Sequence, residues 1–172
     1  EVLMPVDSFK YLPRLIGLIY QETRVGPLTP IQWTPLERPL SACKIGLVTT
    51  GGLYHRGVEP PFDLPRERRE PTWGDPGYRS IPKDIRQAEL GISHLHVNNE
   101  IVREDINVLL PIHRLNALQE EGIIAGQADE HYSFMGYQGY PPDTTAWREH
   151  YGPEVASRFI AQQVDCVLLT PS

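Results

Sequence analysis

The chain has 172 residues, 40% hydrophobic and 22% charged, with a formal net charge of −6. This balance fits a soluble globular domain with a real core and excludes a disordered chain. The acidic excess argues against a nucleic-acid footprint, which needs a basic face, and no apolar run approaches the roughly 20 residues of a membrane span.

The sequence begins with Glu1 rather than Met and shows neither the basic start nor the small-residue cleavage site of a secretory leader. Residues 7–24, "DSFKYLPRLIGLIYQETR", place Phe9, Leu12, Leu15, Ile16, Ile19 and Tyr20 at helical spacing. Pro13 falls in the first turn, where a missing N–H costs nothing. "VGPLTPIQWTPLERPLS" carries too many prolines for regular structure and reads as an extended arm held by Trp33 and Leu36. Residues 1–42 are thus expected to be a helix plus an arm, and 43–172 an α/β domain. Because Trp33, Leu36 and Leu40 need burial, the arm is expected to touch another subunit in a homo-oligomer.

"CKIGLVTTGG" is the clearest strand: Ile45 to Thr49 is apolar and β-branched, and Gly51-Gly52 closes it. Residues 53–82 are a long polar excursion, with the charge run Arg66–Glu70 as a solvated surface. A second strand is expected over Gly91–Val97. "INVLLP" reads as a short extended or turn segment. "IHRLNALQEEG" reads as a helix with Ile112, Leu115 and Leu118 on one face, ended by Gly122. "IIAGQADEHYSFMG" returns as a strand. "DTTAWREHYGPEVASRFIAQQ" is helical, with a break at Gly152 and a second helix opened by Pro153. Val164–Leu169 is the last strand. This alternation predicts an α/β fold with a mainly parallel, doubly wound sheet. About four strands are visible, fewer than a complete sheet of this type carries, so the sheet is expected to be incomplete at its C-terminal end.

Several groups carry chemistry. Thr49, Thr50, Gly51 and Gly52 follow a strand tip, where hydroxyls and backbone N–H groups hold a carboxylate or phosphate; a plain tight turn explains them equally well. No dinucleotide or P-loop glycine pattern is present. His94-x-His96 puts two imidazoles on one face of a strand. The pair serves proton transfer, core hydrogen bonding or half of a metal site. The third ligand of such a site would have to come from His55, His131 or Glu130, and no metal is assigned. Asp105 reads as a helix cap or Asx-turn, or as a carboxylate orienting one of these imidazoles. Glu130 and His131 form a pair suited to proton transfer near neutral pH; plain placement on the surface explains them equally well. Cys43 and Cys166 stand far apart without metal-type spacing and read as small buried residues of a protein from a reducing cytoplasm. No nucleophile with its base is evident.

The segments "IGLVTTGGLY", "FD", "GYRSIPKDI", "ISHLHV", "EDINVLLPIHRL", "EEGIIAG", "HYSFMGY" and "VDCVLLTPS" resemble, in this order, the selenoprotein B family of glycine, sarcosine and betaine reductases and the related D-proline reductase subunit. The resemblance covers about residues 7–172, and the short stretch before "IGLVTTGG" is more similar to the D-proline reductase type. It implies a reactive selenocysteine or cysteine directly after Ser172, at the end of the last strand. It further implies reductive cleavage of a C–N bond in a small amino acid or amine, activation by a pyruvoyl group on a partner subunit, and re-reduction by a thioredoxin-like system. Residues 1–172 would then be the N-terminal part of a longer family domain, inactive alone and partnered by the remaining C-terminal half. Thr49, Thr50, Gly51, Gly52 and Ser172 would bind substrate, with His94, His96, His131, Glu130 and Asp105 as catalytic candidates. Two other expectations stand beside this one: a non-redox relative doing lyase or proton-transfer chemistry, with or without a metal, and a non-catalytic structural half.

Overall fold

A computed structural model describes Leu18, residues 34–95 and residues 97–172. The expected helix over 7–24, the arm up to Trp33, and His96 lie outside the described residues. The chain divides between Pro35 and Leu36, and Leu36–Ser172 form one compact unit.

The main sheet is built on β1 (Lys44–Thr49), whose apolar, β-branched run is buried along most of its length. Beside it lie β3 (Tyr78–Pro82), β5 (Gly126–Gln127), β6 (Glu130–Phe134) and β7 (Cys166–Thr170). β1 pairs in parallel with β5, β6 and β7, while β3 pairs antiparallel with β6 at the edge. The result is a mostly parallel α/β sheet, as the alternation of strands and helices predicts. Its strands are more numerous than the sequence suggests because β3 has no apolar pattern and the single strand expected over "IIAGQADEHYSFMG" is two, β5 and β6. A second, two-stranded antiparallel sheet joins β2 (Leu53–His55) to β4 (Leu90–Ile92). The strand expected over Gly91–Val97 is therefore shorter and belongs to this small sheet.

Strand alternation sends side chains to two opposite faces, and each face has its own core. Ile45, Leu47 and Ile81 join one cluster with Val102, Ile112 and Leu115. These last three come from α2 (Asn99–Glu104) and α3 (Ile112–Glu120). Tyr132 and Phe134 join the other with Val155 and Phe159 of α4 (Gly152–Ala161). Helices thus cover both faces. α3 ends where the sequence places its stop: Gly122 takes φ 70°, and Ile123 N–H donates to Leu118 O at 2.9 Å. The break expected at Gly152 is absent. Gly152 is helical, and the π-turn Trp147–Tyr151 runs straight into α4.

The long excursion after β2 is ordered by one arginine. It holds α1 (Leu64–Arg69), capped by Asp63, which accepts from Arg66 N–H at 3.0 Å. Arg79 donates to Pro60 O at 2.7 Å and to Asp75 Oδ2 at 3.2 Å, and its guanidinium lies 4.1 Å from the Phe62 ring centre. Glu59 Oε1 accepts Ser80 N–H at 3.0 Å. The outer edge of β3 is thereby occupied by the chain itself.

Candidate functional site

In an open α/β sheet, ligands bind beyond the carboxyl ends of the parallel strands. Here β1, β6 and β7 end together, and three short segments cross one another there. Ser172 N–H donates to Thr50 Oγ1 at 2.9 Å, and Thr50 Oγ1 lies 3.3 Å from Ser172 O and 3.4 Å from Ser172 Oγ. Gly136 N–H donates to Thr50 O at 2.9 Å. A Cβ placed on Gly136 would sit 2.8 Å from Ser172 O, 3.1 Å from Thr50 O and 3.3 Å from His94 Nε2. Three polar atoms from three segments thus converge on a point that a single methyl group would fill.

The remaining turn residues hold this tip together. Thr49 is fully buried. Its hydroxyl donates to Thr170 O at 3.0 Å and accepts Gly51 N–H at 3.1 Å. Thr50 N–H reaches Thr170 O at 3.4 Å, and Gly52 N–H donates to Phe134 O at 2.9 Å. The N–H groups of Thr50, Gly51 and Gly52 are therefore engaged inside the fold, and both glycines are buried. Thr50 is half-buried and Ser172 exposed, so the hydroxyls of these two residues are the groups offered at the surface. His94 is buried beside them, with Asn99 Nδ2 donating to its carbonyl at 3.2 Å.

The other candidates lie elsewhere. His131 sits in the interior of β6, fully buried. Leu47 N–H donates to His131 Nδ1 at 3.0 Å, and Nε2 lies 3.0 Å from Gln127 Oε1. Both ring nitrogens are engaged, with Nδ1 as the acceptor. β1 pairs first with β5 and then with β6, and the imidazole fills the gap between the two, receiving an N–H that would otherwise lack a strand partner. Burial pushes the His131 pKa down to about 4, so the ring is neutral at pH 7. Glu130 begins β6, at the end away from the tip, where its N–H donates to Gln162 Oε1 at 3.1 Å. Asp105 caps the 3-10 turn Ile106–Val108 by accepting Asn107 N–H at 2.9 Å, and those hydrogen bonds hold its carboxyl below the usual carboxylate range. No hydrogen bond ties Asp105 to His94 among the described residues. Nor do three His, Cys, Asp or Glu side chains gather to hold a metal there.

The sequence model of the glycine/sarcosine/betaine reductase selenoprotein B family matches residues 19–172. The chain belongs to this family. Among curated relatives, the D-proline reductase subunit gamma of Acetoanaerobium sticklandii is 34% identical over 145 residues, covering 84% of this chain and 55% of that protein. The chain therefore spans about half the length of that relative. No solved structure matches. No helix among the described residues is long and apolar enough to cross a membrane.

Within this selenoprotein B family chain, Gly136 is the tip residue that sequence reading passed over. Glycine carries no side-chain signal, and only its position between Thr50, Ser172 and His94 gives it meaning. Gly52 is a glycine for a different reason. Its φ is 63°, and an added Cβ would meet Ser93 O at 2.4 Å. Gly52→Ala is expected to destabilise the domain by about 2 kcal/mol. Urea unfolding reads this directly, and an unchanged midpoint would show that the turn relaxes freely.

Proposed function

We propose that this chain is part of a reductase subunit that cleaves a C–N bond in a small amino acid or amine, with substrate held at the joined tips of β1, β6 and β7. The observation that carries the reading is the convergence of Thr50, Ser172, Gly136 and His94 at the carboxyl ends of three parallel strands, in a chain of the selenoprotein B family. Thr50 and Ser172 hydroxyls face the substrate carboxylate. Thr49, Gly51 and Gly52 fix the turn that presents them. His94 gives or takes a proton at Nε2, with His96 as the second candidate two residues on. His131, Glu130 and Asp105 act through the fold, by the bonds described above.

The reaction breaks a C–N bond and forms a C–H and an N–H bond, with two electrons and two protons drawn from a dithiol that becomes a disulfide. A selenocysteine or cysteine directly after Ser172 would supply the nucleophile, and a pyruvoyl group on a partner subunit would activate the amine. This chain's residues bind and orient the substrate and hold a proton at His94. The remaining half of the subunit, the pyruvoyl-bearing subunit and further copies of the chain are its partners in this reading, in the cytoplasm.

The test is a chimeric gamma subunit, in which residues 1–172 replace the matched stretch of the Acetoanaerobium sticklandii protein, assembled with that reductase's other subunits and a dithiol. Turnover of D-proline, glycine, sarcosine or betaine is expected. Thr50→Val should lower it about a hundredfold, the usual effect of removing one positioned donor. A folded chimera inactive on all four compounds, beside an active native subunit, would refute the reading.

A further inference from the structure

The last strand is unfinished on both faces and along one edge. Val167, Leu168 and Leu169 are 39%, 46% and 66% exposed, an apolar run with the composition of a central strand in a covered parallel sheet. Register explains which groups are open. Ile45 O accepts Ala128 N–H and Leu47 N–H donates to His131 Nδ1, so these two residues turn their backbones toward β5 and β6. Gly46, Val48 and Thr50 therefore turn toward β7. In the pairing Ile45↔Cys166 through Thr49↔Thr170, they meet Cys166, Leu168 and Thr170, as the Thr50 N–H to Thr170 O bond confirms. The N–H and C=O groups of Val167 and Leu169 face outward, and among the described residues β7 pairs with β1 alone. Side chains alternate likewise. Cys166 packs on the cluster that includes α2 and α3, which puts Leu168 on that face and Val167 and Leu169 on the α4 face.

We infer that this edge of β7 is where the rest of the reductase subunit docks, by adding a strand whose flanking helix or loop covers the exposed leucines. The occupant is the stretch of the family's full-length subunit outside the matched region; this rests on the reductase-subunit reading. Two observations select it over a second copy of the chain. The match covers only 55% of the gamma subunit, so nearly half of such a subunit must pack somewhere. The opposite edge of the sheet is already occupied by Glu59 on Ser80. A two-fold pairing of β7 with another β7 would instead set the strands antiparallel and leave the outer leucines of both copies without a covering layer.

Hydrogen exchange at the Val167 and Leu169 amides tests this in the 172-residue chain and in the chimeric gamma subunit described above. Exchange is expected to be at least tenfold slower in the chimera. Val167→Pro removes an outward N–H and no bond to β1. It should leave the melting temperature of the 172-residue chain unchanged and lower that of the chimera by several degrees. Leu169→Lys should do the same and serves if the proline variant does not fold. Equal exchange in the two proteins, or a variant that shifts the melting temperature equally in both proteins, would overturn the proposal. So would slow exchange in the 172-residue chain accompanied by a dimer's mass. Turnover with an unprotected edge would sink only the docking surface, and a protected edge without turnover would sink only the reductase reading.

Discussion

Replacing His131 by alanine is expected to destabilise the domain by about 3 kcal/mol, a large fraction of the stability of a domain this size. The substitution leaves Leu47 N–H buried without its acceptor and Gln127 Oε1 without the ring nitrogen, and it opens a void where the imidazole stood. The same geometry gives stability a pH dependence. Burial holds His131 at about 4 in the folded chain against an ordinary 6.5. Between these values the unfolded chain binds a proton that the folded chain refuses. This contribution is therefore complete above pH 6.5, declines as pH falls toward 4 and levels off below, with a limit of about 3 kcal/mol. His131→Asn keeps an oxygen near the Nδ1 position and does not titrate. It should flatten the fall in urea midpoint between pH 6.5 and 4. A slope as steep as that of the unsubstituted chain would assign the dependence to other groups.

Phe159→Ala is expected to cost about 4 kcal/mol. The ring is buried and lies 4.9 Å from the Tyr132 ring in edge-on contact. It also occupies the space over Gly46, where an added Cβ would fall 2.6 Å from a ring carbon. With Val155 beside it in the same cluster, this contact holds α4 against β1 and β6, and so the crossover that delivers β7 to the tip. It also explains why β1 has a glycine in the middle of its apolar run. Gly46→Ala should be destabilising in the presence of Phe159 and nearly neutral once Phe159 is alanine. The double variant should therefore be more stable than the sum of the single ones. Additive losses in denaturant midpoints would show that the ring and the glycine do not meet.

The parts of this fold that depend on local pattern were legible in the sequence. β1, α3 with its Gly122 stop, and the last strand follow from apolar periodicity and turn residues. β3 was hidden because its residues, Tyr78 to Pro82, are mostly polar and only half-buried and end in proline, as suits an antiparallel edge. The strand expected through Val97 ends at Ile92 because its partner strand begins at Leu53 and Gly52, at φ 63°, sends its N–H to Phe134 O instead. The tip shows the same division. Its hydroxyl residues, Thr50 and Ser172, could be read as a strand-end turn and a strand end. Their meeting across 122 positions, with Gly136 between them, depends on sheet register. His131 illustrates the converse: its chemistry suggested proton transfer, yet the gap between β5 and β6 gives it a backbone N–H to receive.

In the proposed reading a small substrate sits at the joined tips of β1, β6 and β7. Amide and imidazole shifts of the isotope-labelled chain, titrated with D-proline, glycine, sarcosine and betaine, read this residue by residue. At least one compound is expected to move Thr50, Gly136, Ser172 and the His94 ring together along one saturation curve. Saturable shifts confined instead to the cavity of about 390 Å³ lined by Leu53, Arg56, Gln87, Gly91, Val102 and Arg103, or no saturable shift at the tip with any of the four, would contradict it.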